Sequence, residues 1–80
     1  MKVTLEKHEI NYASNYDNYS IIGDNGLWDA KVEHDLITKE MYFVPPTDVN
    51  TSYTIKELEA IVVAMKELTE EIEKGLDSPQ

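Results

Sequence analysis

An Asn25-Gly26 pair stands between two runs in which apolar and polar residues alternate, and no other feature constrains the fold as strongly. Asn and Gly suit the two positive-φ positions of a type I′ turn, the favoured two-residue link between antiparallel strands. Such a turn sets a register in which Asp24 opposes Leu27, Gly23 opposes Trp28, Ile21 opposes Ala30 and Tyr19 opposes Val32. Successive side chains of a strand point to opposite faces. Tyr19, Ile21, Trp28, Ala30 and Val32 therefore share one face, and Asp29, Lys31 and Glu33 share the other. One dry face and one wet face is the antiparallel pattern. Trp28 is placed to cover Gly23, an aromatic over a residue without a side chain.

The flanking segments extend this hairpin into a sheet. Residues 2–12 read as a strand in which Val3 and Leu5 hold one parity and His8, Ile10 and Tyr12 the other. That switch implies a bulge near Lys7 or a change of partner. Residues 11–20, rich in Asn, Tyr and Ser, read as a loop. Asp35 to Glu40 has the form of a tight turn with Lys39 in the left-handed position that glycine usually takes. Met41 to Val44 returns as a strand, and Pro45-Pro46, which cannot donate to a ladder, ends it.

One helix follows. Thr54 and Glu57 have the spacing of a capping box, with Tyr53 set to pack on Leu58 as a hydrophobic staple. Ile55, Leu58, Ile61, Val62, Met65, Leu68 and Ile72 recur at helical spacing, and Gly75 is the expected stop. The fold class is α+β: an antiparallel sheet of about four strands with a C-terminal helix packed on its apolar face. It forms a single domain over residues 1–76, with 77–80 as a frayed tail. The N-terminal strand pairs either beside Met41 to Val44 or at the opposite edge.

Eighty residues, 41% of them hydrophobic and none cysteine, permit one modest core without disulfide or Cys-zinc reinforcement. Glu6 interrupts any apolar run of the signal-peptide kind, and no membrane-length apolar stretch follows. A cytoplasmic protein is expected. The net charge is −9, and all seven basic residues are lysine. Direct nucleic-acid binding and attraction to anionic membranes are therefore not expected, whereas a basic protein partner is. Solubility alone is the simpler account of the charge.

Catalytic motifs are absent. There is no phosphate-binding glycine loop, no nucleophile elbow and no thiol. His34 beside Asp35 has metal-ligand chemistry but lacks a third ligand at suitable spacing. The expectation is a protein that is not an enzyme and holds no metal or cofactor. Three features remain for making contacts. Glu67, Glu70, Glu71, Glu73 and Asp77 crowd the negative end of the helix dipole, where carboxylates are locally unfavourable. Tyr12, Tyr16 and Asp17 lie in the Asn/Tyr/Ser segment, whose chemistry is that of antibody loops, and Tyr16 is the tyrosine expected to be most exposed. Leu36 and Ile37 occupy a turn tip.

The acidic stretch from Glu67 to Asp77, the Tyr/Asn segment and the lack of arginine and cysteine resemble the small acidic inhibitors that phages and mobile elements use against restriction, CRISPR and other host defences. The resemblance is one of class, without an aligned motif. It implies a basic, nucleic-acid-binding target whose groove the carboxylates occupy. Two alternatives remain: a module that self-associates or serves as a small subunit through a sheet edge or its Val63 face, and a small-ligand binder near Trp28 and the tyrosines. Monomer and homodimer both stay open.

Overall fold

The computed structural model describes residues 1–8, 15–48 and 50–77. Strands β1 (Thr4–Lys7), β2 (Tyr16–Gly23), β3 (Gly26–Asp35) and β4 (Met41–Val44) form an antiparallel sheet in the order β1-β2-β3-β4. The helix α1 (Ile55–Asp77) lies across one face. The N-terminal strand thus takes the edge opposite β4. Its described register, Thr4↔Ile22 to Lys7↔Tyr19, runs without a bulge, and Tyr12 lies outside the described residues.

The core is the face predicted from alternation. Tyr19, Ile21, Ala30 and Val32 are buried beneath Ile61 and Ala64 of the helix, and Val3 joins them from the segment before β1. Trp28, Phe43 and Tyr53 pack against this cluster. Asp29 and Lys31 are exposed on the far face and Glu33 is half-buried there.

The turn differs from the expected one. Gly23 pairs with Gly26 and Ile22 with Leu27, so Asp24 and Asn25 are the turn residues. Neither has positive φ, while Gly26 does, at 109°. This matches the hairpin in which an ordinary turn is followed by a left-handed glycine. A register shift follows, with Ile21 alone on β2 facing Trp28, Asp29 and Ala30 on β3. Beyond it, Tyr19↔Val32 is the pairing read from the sequence. The irregularity keeps both Trp28 and Ala30 on the helix side. A Cβ built on Gly23 would lie 2.8 Å from Trp28 Cε2, so the indole does cover this glycine.

Residues 16–20 are strand rather than loop. Their polar residues mislead because Asn18 and Ser20 fall, half-buried, on the face away from the helix. The helix also continues past Gly75 to Asp77. Glycine ends a helix by adopting positive φ, and Gly75 does not. Within the helix the predicted single apolar stripe divides in two. Ile61 is 1% exposed and Ala64 8%, but Ile55 is 73% and Val62 47% exposed. The small Ala60 and Ala64 let the helix approach β1 most closely, which turns Ile55 and Val62 away from the core.

Candidate partner-binding surface

The capping box forms as its sequence requires. The Thr54 amide donates to Glu57 Oε1 at 2.8 Å, and the Glu57 amide donates to Thr54 Oγ1 at 3.1 Å. Tyr53 does more than act as a staple. Its ring stacks on Trp28 with centroids 5.3 Å apart and meets Phe43 edge-on at 6.1 Å, while Leu58 stays 40% exposed. One face of the Trp28 indole is therefore covered by the protein's own tyrosine.

From this anchored start the helix runs toward the opposite end of the sheet, where β2 begins and β3 ends. Thr69 Oγ1 donates to Met41 Sδ at 3.8 Å, and Met41 pairs with His34, one residue before Asp35. Glu70 lines a groove with Met41 and Thr69, and Glu71 and Glu73 follow it toward the end of the helix. The acidic residues do not form one row. Glu67 and Glu71 line a groove beside Lys2, Val3 and Leu5, whereas Glu70 lines a groove beside Met41 on the other side of the helix. Asp77 closes the helix.

Among the described residues the one ion pair is Lys7 to Asp17, at 3.2 Å. Glu67, Glu70, Glu71 and Glu73 enter none, although Lys66 and Lys74 stand four residues to either side of Glu70. Asp17, by contrast, is held by Lys7 with its side chain only 11% exposed. Tyr19, between these two on the helix face, is pushed above the ordinary tyrosine range by burial, with Lys7 acting in the opposite direction.

The turn is built around Asp35. Its Oδ1 accepts from the Ile37 amide at 2.8 Å and the Thr38 amide at 3.0 Å. The amides of Thr38, then Ile37, hold this carboxyl below its ordinary pKa. Lys39 takes the predicted left-handed position, with φ 68°. Its Nζ donates to the Leu36 carbonyl at 2.7 Å, and the Leu36 amide donates to the Asn15 carbonyl at 2.8 Å. The result is a rigid tip presenting Ile37 at 70% and Leu36 at 37% exposure. Tyr16 pairs with Asp35 directly beneath that tip and is 41% exposed.

Two polar contacts were not legible in the sequence. The Ser20 hydroxyl and His8 Nε2 are hydrogen-bonded. The pairing Glu6↔Ser20 puts Ser20 on the face away from the helix. Among the described residues no carboxylate engages the other nitrogen of this imidazole. Tyr42 donates to Glu40 Oε2 at 2.6 Å, and this bond raises the pKa of its phenol. His34 is buried, and the carboxylate beside it is already committed to the turn amides. Among the described residues no three metal-ligating side chains converge, and no helix is long and apolar enough to cross a membrane. No protein-family model, curated protein or solved structure matches this chain.

Proposed function

We propose that this protein is an acidic inhibitor that binds a basic, nucleic-acid-binding partner, in the manner of phage and mobile-element anti-defence proteins. The observation that carries the reading is a set of exposed carboxylates outside any ion pair among the described residues, on a small fold that also exposes an aromatic ring and two aliphatics. Glu70, Glu71 and Glu73 are exposed and outside any ion pair among the described residues, and Tyr16, Leu36 and Ile37 are exposed at the Asp35 turn. Carboxylates supply long-range attraction to a positive groove and steer the encounter. An aromatic ring and two aliphatics supply the desolvated contacts that give an interface its affinity. The net charge of −9 adds to the attraction at every approach angle.

The test is a pull-down from bacterial lysate with the intact chain, washed at low and at high salt, followed by competition with duplex DNA or RNA. The reading requires a basic protein that nucleic acid displaces and whose affinity falls by roughly tenfold or more between ~50 and ~200 mM salt. Replacing Glu67, Glu70, Glu71 and Glu73 together by lysine abolishes capture. Ile37→Ala weakens it without changing the salt dependence. Capture that survives the fourfold charge reversal sinks the proposal.

A further inference from the structure

The sheet ends in two edge strands, β1 and β4, and they are defended unequally. An edge carries amides and carbonyls that invite another strand, and charged side chains along it discourage one. β1 contains Glu6 and Lys7, whereas β4 has no charged residue. The Asp35 amide donates to the Glu40 carbonyl at 2.9 Å, which sets the phase of the β3-β4 ladder. Bonded pairs alternate along an antiparallel ladder, so Tyr42 and Val44 are the β4 residues that bond to β3. The amides and carbonyls of Met41 and Phe43 therefore point outward from the sheet. Their side chains lie on the helix side, and that of Tyr42 lies on the far side, where Glu33 is its cross-strand neighbour. Glu40 accepts a hydrogen bond from the Tyr42 hydroxyl, so two carboxylates attend this exposed ring.

We infer, resting on the basic partner proposed above, that β4 takes an extended segment of that partner as a fifth strand. An arginine or lysine of the segment lies beside Tyr42, and apolar residues take the positions to either side. The outward backbone groups select a strand, because an extended chain meets donors and acceptors at their spacing. Charge selects its kind. Glu33 and Glu40 attract a basic side chain to the Tyr42 ring, whose face also favours a cation. Two copies of this chain joined through β4 would instead gather Glu33 and Glu40 of each on one face, in a molecule of net charge −9. On the helix side the added strand lies along the groove lined by Met41, Val62, Met65 and Thr69 together with Lys66 and Glu70. Its apolar side chains meet the aliphatic and thioether groups there.

The probe is a capped hexapeptide of alternating valine and arginine, read on the full chain by amide hydrogen exchange. Without peptide, the Met41 and Phe43 amides exchange faster than those of Tyr42 and Val44. With saturating peptide they slow by roughly tenfold or more, while the β1 amides keep their rates. A peptide with glutamate in place of arginine gives no such protection, and neither does one with its valines and arginines in two blocks. Glu40→Lys, at an exposed position, keeps the wild-type melting curve and weakens the alternating peptide by roughly threefold. Met41 and Phe43 amides that stay unprotected overturn the inference, as does equal protection by the block peptide or protection that falls on β1. Protection that grows with protein concentration in the absence of peptide places a second copy on this edge and overturns it too. The peptide measurement uses no lysate, so it can fail while capture through the helix carboxylates succeeds, and the reverse.

Discussion

The end of the molecule where the helix begins is closed by packed rings, and the end where it finishes is closed by hydrogen bonds. At the first, Trp28 lies on Gly23, Tyr53 stacks on Trp28 and Phe43 meets Tyr53 edge-on. At the second, Asp35 gathers the amides of its own turn, Lys7 holds Asp17, and the helix continues beyond Leu68 with mostly exposed side chains. Ring packing excludes water and resists substitution. Hydrogen-bonded turns hold a shape while leaving the neighbouring surface wet. The apolar packing is thus concentrated at one end.

The contrast is broken most directly in the helix. Ile61→Ala removes a side chain only 1% exposed and costs about 2–5 kcal/mol. Ile72→Ala, three turns further on and half-buried, costs about 1.5 kcal/mol or less. Urea unfolding of the two variants gives the comparison. Equal losses would mean that the C-terminal half of the helix carries as much of the core as the N-terminal half.

Gly23→Ala sharpens the first end. Its Cβ would stand 2.8 Å from Trp28 Cε2, so the indole must shift and with it the ring of Tyr53. The expected loss is about 1–3 kcal/mol, accompanied by a red shift of tryptophan emission as the ring meets water. The same substitution in a Trp28→Leu background costs less, and that difference measures the packing.

Acid separates the two ends in a different way. The Asp35 carboxyl is held below its ordinary range by the Thr38 and Ile37 amides. Its stabilising effect is complete above the ~4 of an unfolded aspartate and is lost as pH falls through the lower folded value. Asp35→Asn therefore melts below the wild type at neutral pH, and the two converge in strong acid. The amide resonances of Ile37 and Thr38 move in the same titration, while the indole resonance of Trp28 stays put.

How much of this was legible in the sequence follows from what each signal reports. Alternation assigned Tyr19, Ile21, Ala30 and Val32 to the buried face, because a one-residue slip would have exposed all of them. Thr54 and Glu57 named their own hydrogen bonds, since capping is local. The hairpin turn was shifted by one residue because Gly26 alone provides positive φ and a bulge beyond it restores the register. The apolar stripe of the helix was read as one because periodicity gives an angle around the helix and not the width of the surface that covers it. A closely approaching helix with alanines at its contact covers a narrow strip. Of the candidate site, Leu36 and Ile37 were legible as a tip. The ion pair that holds Asp17 was not, because it joins strands distant in sequence.

The smallest expected change in stability carries the most weight for the function. Glu67 and Glu71 are like charges four residues apart, flanking a groove near the negative end of the helix dipole. Glu71→Lys converts that repulsion into an attraction with the favoured order of charges, and raises stability by about 0.5 kcal/mol. A surface shaped only by folding would favour that exchange. If Glu71→Lys melts higher and binds the basic partner more weakly, the carboxylate is retained for recognition at a small cost to the fold. If it melts higher and binds as before, the charge at this end serves solubility alone, and the anchors Tyr16, Leu36 and Ile37 lose the electrostatic half of the interface assigned to them.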